Sequence, residues 1–159
     1  MRPQPKLKAL VFLGLAMAVL ATQAGQFGHT IPMIHRGAST YYVGGDITGY
    51  GKVEFMVDTG SGYMTINEDT LAVLQRSGDA VYVKDLTGIM ADGTRRTVPV
   101  YRIKAVTLGG DCVLHNVDAA VFPQRTRLLL GLSALEKTAP FVFSTNPPKL
   151  VLSHCATTS

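Results

Sequence analysis

The strongest constraint on this chain is a rhythm of short alternating runs cut by glycine turns. In residues 52–57, Val53, Phe55 and Val57 alternate with Lys52, Glu54 and Met56, the period of a strand with one buried face. Residues 41–48 precede that run across Gly49-Tyr50-Gly51, a hairpin signal. Asp58-Thr59-Gly60-Ser61-Gly62 breaks the strand and residues 63–66 resume it. Residues 80–84 read as a further strand. Residues 88–101 read as a long hairpin with Asp92-Gly93 at its tip, a strong two-residue turn pair. Pro99 marks an edge or an irregular stretch in the second arm. Gly109-Gly110-Asp111 turns the chain again, into residues 112–114 and 117–122.

Helical signals are few. Asn67 can cap a helix, Glu68 and Asp69 suit its first turn, Leu71 and Leu74 share a face, and Gly78 can end it. A short helix over residues 133–137 follows Leu128-Leu129-Leu130-Gly131. The chain closes with residues 141–143, a turn at Asn146-Pro147-Pro148, and residues 150–152. Many strands, two brief helices and no alternation of strand with helix predict an all-β barrel. At 159 residues there is material for one such domain, placed over residues 40–154.

Residues 1–24 stand apart. Arg2, Lys6 and Lys8 form a positive start, residues 9–21 are an uncharged apolar run, and Thr22-Gln23-Ala24 brings small residues at cleavage spacing. That is the layout of a secretory signal peptide. A retained membrane anchor is the alternative, against which the run is short of the roughly 20 apolar residues a span needs. Export would place the protein in the periplasm or outside the cell. Residues 25–39 show no period and read as a leader segment, partly ordered. The net charge of +4 is largely a targeting feature, because without the first 24 residues 12 Lys and Arg face 11 Asp and Glu. With no basic block interleaved with aromatics, nucleic acid is excluded as a partner. Cys112 and Cys155 could form one disulfide in an exported protein or remain two thiols.

Asp58 is the candidate for chemistry. Asp-Thr-Gly by itself is a weak signal, since Asp commonly bonds nearby backbone amides in an ordinary turn. Its context is stronger. The carboxylate ends a strand whose alternation turns Phe55 and Val57 to the core, and Gly60 and Gly62 allow a sharp loop behind it. An acid so placed is held on rigid scaffold and stays accessible.

Residues 55–61, an apolar strand followed by Asp58-Thr59-Gly60-Ser61, resemble the active-site loop of retropepsin-like aspartic peptidases. Leu129-Leu130-Gly131, with a short helix behind it, is similar to that family's second signature. The Asp92-Gly93 hairpin falls where the family carries its flap, and residues 150–152 fall where it has a C-terminal strand used in dimer contacts. The resemblance runs over residues 41–153 and is nearest the bacterial members. It implies an endopeptidase in which two aspartates share one proton around a water. One Asp-Thr-Gly per chain then requires a homodimer, Asp58 meeting its own copy. It also implies that Thr59 braces the loop across the two-fold axis, that Gly60 lets substrate backbone approach, and that the Ser61 hydroxyl donates to the carboxylate. Ala91, Asp92 and Gly93 become the substrate-covering flap, and the partner is a peptide or protein substrate.

Three departures accompany the resemblance. Ser61 stands where retroviral enzymes usually have Ala, Gly62 replaces an acidic residue, and the tip Ala91-Asp92-Gly93-Thr94 lacks the apolar residues of a retroviral flap. Other chemistries fit less well. Gly131-Leu132-Ser133-Ala134-Leu135 misses the last glycine of a nucleophile elbow. His29, His35, His115 and His154 have no metal spacing, so neither a metal nor a cofactor is expected. Arg95 and Arg96 beside the hairpin tip read as a solvated edge guard. A catalytically silent barrel that binds peptides by strand addition is the alternative function.

Overall fold

The computed structural model describes residues 27–89 and 92–156. The signal-peptide segment and Ala91 of the expected flap lie outside the described residues. No helix among the described residues is long and apolar enough to cross a membrane.

Eleven strands and two short helices make up the described fold: β1 (His29–Pro32), β2 (Ile34–His35), β3 (Tyr41–Ile47), β4 (Gly51–Val57), β5 (Met64–Asn67), α1 (Glu68–Ser77), β6 (Ala80–Ile89), β7 (Arg95–Leu108), β8 (Cys112–Phe122), β9 (Leu129–Leu130), α2 (Leu132–Leu135), β10 (Phe141–Thr145) and β11 (Pro148–Leu152). The main sheet runs β2-β3-β4-β9-β5-β8-β7-β6, and β3 also pairs with β7. That extra pairing, from Gly45↔Leu108 to Ile47↔Val106, closes six strands into a barrel. Strands β2 and β6 lie at the two ends of the strand order. The predicted all-β barrel is the fold found.

Alternation along the strands supplies the core. Val43, Phe55, Ile66, Ile103, Val117 and Leu130 are fully buried inside the barrel, each contributing about 1.5–3 kcal/mol through burial. Helix α1 covers one side with Leu71 and Leu74. Its ends are as expected. The Asn67 side chain accepts from the Thr70 amide, and Gly78 takes the left-handed conformation at φ 73°.

Several boundaries moved. The run expected at residues 80–84 continues unbroken to Ile89, with an irregularity of register between Tyr82 and Lys84. Its partner arm β7 has 14 residues, and Pro99 lies in the part of β7 that pairs with β6 and not with β8. The second helix starts at Leu132 and finishes as a 3₁₀ turn over Glu136–Thr138.

Residues 25–39, read as a partly ordered leader, contain β1 and β2. β1 pairs with β11 (His29↔Leu152) and β2 pairs with β3 (Ile34↔Tyr42). Ile31 and Met33 are buried. Period-two patterning is too short to detect in strands of four and two residues, so the signal was absent rather than misread.

β1, β11 and β10 form a separate three-stranded sheet with β11 in the middle. The two cysteines form a disulfide, Cys112–Cys155. Together with paired backbone bonds between Val113 and Ala156, it ties the chain's tail to the start of β8.

Candidate active site

β9 is the keystone of the site. It is inserted between β4 and β5, parallel to the first (Val57↔Leu130) and antiparallel to the second (Thr65↔Leu129). The ladder with β4 runs past the strand's end: the Met56 amide donates to Leu128 O at 3.0 Å and the Asp58 amide to Leu130 O at 3.1 Å. Asp58 therefore sits in strand register. Alternation puts its side chain on the face of Met56, opposite the buried Phe55.

The loop behind Asp58 is held from several sides. The Gly60 amide donates to Asp58 Oδ1 at 3.0 Å, and the Ser61 amide to Asp58 O at 3.2 Å. The Leu132 amide then donates to Ser61 O at 2.8 Å and the Ser133 amide to Gly62 O at 3.1 Å. A Cβ on Gly131 would overlap the Tyr63 carbonyl, so only glycine lets β9 pass this close under the loop. Ser133 completes the clamp. Its hydroxyl accepts from the Met64 amide and donates to Asp118 O, both at 2.7 Å.

Asp58 is half-buried at the surface of this clamp. Among the described residues, Oδ2 has no hydrogen-bond partner, and no cation lies in ion-pair contact with the carboxylate. An oxygen so presented can hold a water or a proton. Two cavities lie elsewhere. One, of about 480 Å³, is lined by His29, His115 and His154 beside the disulfide. The other, of about 590 Å³, lies around Arg102, Asp118 and Lys137. Neither includes Asp58, which faces open surface.

The neighbouring residues divide. Thr59 and Gly60 are exposed, and Thr59 has no side-chain partner among the described residues. Ser61 corrects one expectation: its hydroxyl donates to Tyr63 O at 2.8 Å instead of to the carboxylate. Here Ser61 closes the loop's own turn, a local backbone acceptor being nearer than Asp58.

Asp92 and Gly93 lie at the tip joining β6 and β7, as expected, with Gly93 at φ 80°. Asp92 Oδ1 accepts from the Thr94 amide at 2.9 Å and the Thr94 hydroxyl at 2.6 Å. Those bonds, the hydroxyl's first, hold its carboxyl below the ordinary Asp range. Lower in the same hairpin, Lys84 of β6 stands 5.6 Å over the Tyr63 ring. The hairpin thus touches the loop that carries Asp58. The nearby Tyr63 side chain raises the Lys84 pKa. Arg95 and Arg96 are exposed on the edge hairpin, in keeping with a solvated guard.

The terminal strand requires a second correction. Both edges of β11 are taken within the chain, by β1 and β10, so residues 150–152 offer no backbone edge to another subunit. Among the described residues, the outer edge of β1 and that of β10 have no strand partner. Val142 and Phe143 of β10 are exposed.

A closed six-stranded barrel with an inserted β9 and an Asp-Thr-Gly loop beside it defines the acid-protease half-barrel class. Residues 43–137 match the family described as "gag-polyprotein putative aspartyl protease". That match spans more than half of the chain, and the chain belongs to this retropepsin-like aspartic protease family. Among solved structures it is similar to a retropepsin-like aspartic protease from Rickettsia conorii. The TM-score is 0.58 at 21% identity, over 83% of this chain and 98% of that one. Comparison with curated proteins gives no match.

Proposed function

We propose that the chain is an exported aspartic endopeptidase that works as a homodimer, with Asp58 as its catalytic carboxylate. The observation that carries this reading is the state of Asp58. It ends a rigid ladder, one oxygen is held by the Gly60 amide, and the other is free toward open surface. Asp-Thr-Gly occurs once in the sequence, so a pair of carboxylates needs two chains.

In the dimer two copies of Asp58 share one proton, because like charges that close do not both ionise. The ionised carboxylate takes a proton from the bound water as the water oxygen attacks the scissile carbonyl carbon. The protonated carboxyl donates to the carbonyl oxygen, giving a neutral gem-diol. Proton return to the amide nitrogen then breaks the C–N bond and releases acid and amine. In this reading Thr59, exposed beside Asp58, bonds across the two-fold axis. The Asp92-Gly93 tip, with Ala91, serves as the flap. Residues 1–24 direct export, or anchor the enzyme if they are retained.

Subunit mixing tests this reading. Asn at position 58 keeps the size of the side chain and cannot carry the negative charge, so mixed dimers assemble with one carboxylate. Adding Asp58→Asn chain to a fixed amount of wild type should depress cleavage of a peptide pool, once mass-tagged subunits show exchange. Undiminished activity after proven exchange would rule out the shared dyad. A wild-type chain that cleaves nothing at any pH would favour the silent barrel.

A further inference from the structure

The loop joining β8 to β9, residues 123–128, is built with more care than a connection requires. The Thr126 amide donates to Pro123 O at 3.2 Å. The N-terminus of α1 then grips the turn twice: Asn67 Nδ2 donates to Thr126 O at 3.1 Å, and Glu68 Oε2 accepts from the Gln124 amide at 3.2 Å. Inside this frame Arg125 is held at φ 69°, a left-handed conformation that costs a non-glycine residue about 1–2 kcal/mol. Such strain persists where surrounding structure over-determines it.

What the frame presents is positive charge. Arg125 and Arg127 are both exposed, and neither is in an ion pair among the described residues. Arg127 Nη1 lies 3.7 Å from Met56 Sδ. Met56 and Asp58 are on one face of the same ladder, two residues apart, so their Cα atoms are separated by roughly 6.5 Å. The guanidinium therefore rests on the side chain next to Asp58. Two of the carboxylates on the adjoining elements are engaged, while Asp69 of α1 is exposed with no ion-pair partner among the described residues. Glu54 on β4 pairs with Arg36 at 2.6 Å, and Glu68 on α1 holds the Gln124 amide.

We infer that Arg127, on this braced loop, is a specificity-determining residue that takes an acidic side chain of the substrate beside the scissile bond. The inference rests on the peptidase reading above and adds the substrate class to it. An extended peptide crossing Asp58 advances about 3.3 Å per residue. Side chains one or two positions from the scissile bond therefore pass over Met56 and reach the Arg127 fork. Two parallel N–H donors match a carboxylate, whereas a carboxamide offers one acceptor oxygen. Arg125 adds a second positive charge behind it.

The test reads cleavage sites and binding separately. Wild-type chain and Arg127→Gln are incubated with a diverse peptide pool, and cleavage positions are read by mass spectrometry. Glu-containing sites should be cut roughly tenfold faster than their Gln isosteres by wild type, with the ratio falling toward one in Arg127→Gln. The wild-type ratio should rise as pH passes about 4.3, where a substrate Glu ionises. In Arg127→Gln it should stay flat. A wild-type ratio near one at every pH overturns the inference while leaving the peptidase reading intact.

Binding of fluorescently labelled Glu and Gln peptides to the uncleaving Asp58→Asn chain covers an inactive protein. A Glu preference that disappears in Asp58→Asn/Arg127→Gln supports the inference even if wild type cuts nothing. Equal binding of the two peptides, or binding of neither, overturns it.

Discussion

Two aspartates in this chain make the same local bond in opposite surroundings. Asp58 Oδ1 accepts from the amide two residues on, at Gly60, and Asp92 Oδ1 accepts from the amide two residues on, at Thr94. Each follows a strand and each is succeeded by small or flexible residues. Asp58 is then clamped by β9, by the backbone of Leu132 and Ser133, and by the Ser133 hydroxyl. Asp92 is exposed and, among the described residues, bonds only to Thr94; Ile89, at the end of β6, is 74% exposed. A turn closed by its own aspartate is a common local solution. The clamp holds one carboxylate from several strands, whereas the other rests on its own turn.

The sharpest way to break that contrast is to remove the charge from each aspartate in turn. Asp58→Asn should lower peptide turnover by at least roughly 100-fold, the scale of lost acid and base catalysis, with an unchanged thermal melt. Asp92→Asn keeps an acceptor oxygen for Thr94 and should leave turnover within about threefold. Equal losses in the two variants would mean that the tip also carries chemistry.

Glycines give the next largest difference. Gly131→Ala drives a methyl into the Tyr63 backbone and should cost about 1–3 kcal/mol, lowering the melting temperature by roughly 5 °C or more. Gly93 has open space around its Cβ position. Gly93→Ala there meets only the left-handed backbone, about 1 kcal/mol. Calorimetry on both variants decides the order, and a reversal would place the rigid loop at the wrong end of the barrel.

A smaller effect is expected in kinetics if the tip serves as the proposed flap. Gly93→Val stiffens and distorts the tip without touching the core, so turnover should slow several-fold with the fold retained. Unchanged kinetics would remove residues 91–93 from the substrate path.

The weakest effect is in pH. The bonds from Thr94 depress the Asp92 carboxyl. Any order they lend the tip is therefore fully present above the ordinary Asp value of about 3.9 and is lost as pH falls through the lower folded value. Because Asp92 is exposed, the loss should stay local. An NMR titration should show Thr94 amide shifts moving below the usual Asp range, while β4 amides hold. An Asp92 midpoint at or above that range would contradict the two bonds.

Much of this was legible in the sequence because it is written in short-range physics. Alternation in residues 52–57, the Asn67 cap, the Gly78 terminus and the Asp92-Gly93 tip each need only neighbouring residues to be recognised, and each lies where expected. Leu129-Leu130-Gly131 was visible as a pattern, but its insertion between β4 and β5 was not, since it joins segments about seventy residues apart. Ser133 was legible only as opening a helix and as part of an incomplete nucleophile elbow. Its role as a pin depends on the Met64 amide and the Asp118 carbonyl arriving from different strands. β1 and β2 were missed for the same reason, their order coming from β11 and β3.

By itself the sequence determined the class of fold, the position of the one Asp-Thr-Gly loop and the turns that bound each strand. These follow from side-chain period, glycine freedom and capping, which act within a few residues. Only the tertiary structure decided which groups meet. It sent the Ser61 hydroxyl to Tyr63 O, buried β11 between β1 and β10, joined Cys112 to Cys155, and set Arg127 on Met56 beside Asp58. Each of these is a choice among several acceptors, edges or partners of nearly equal local merit. The barrel's closure through β3 and β7 selects among them by bringing one candidate within reach and the rest out of it.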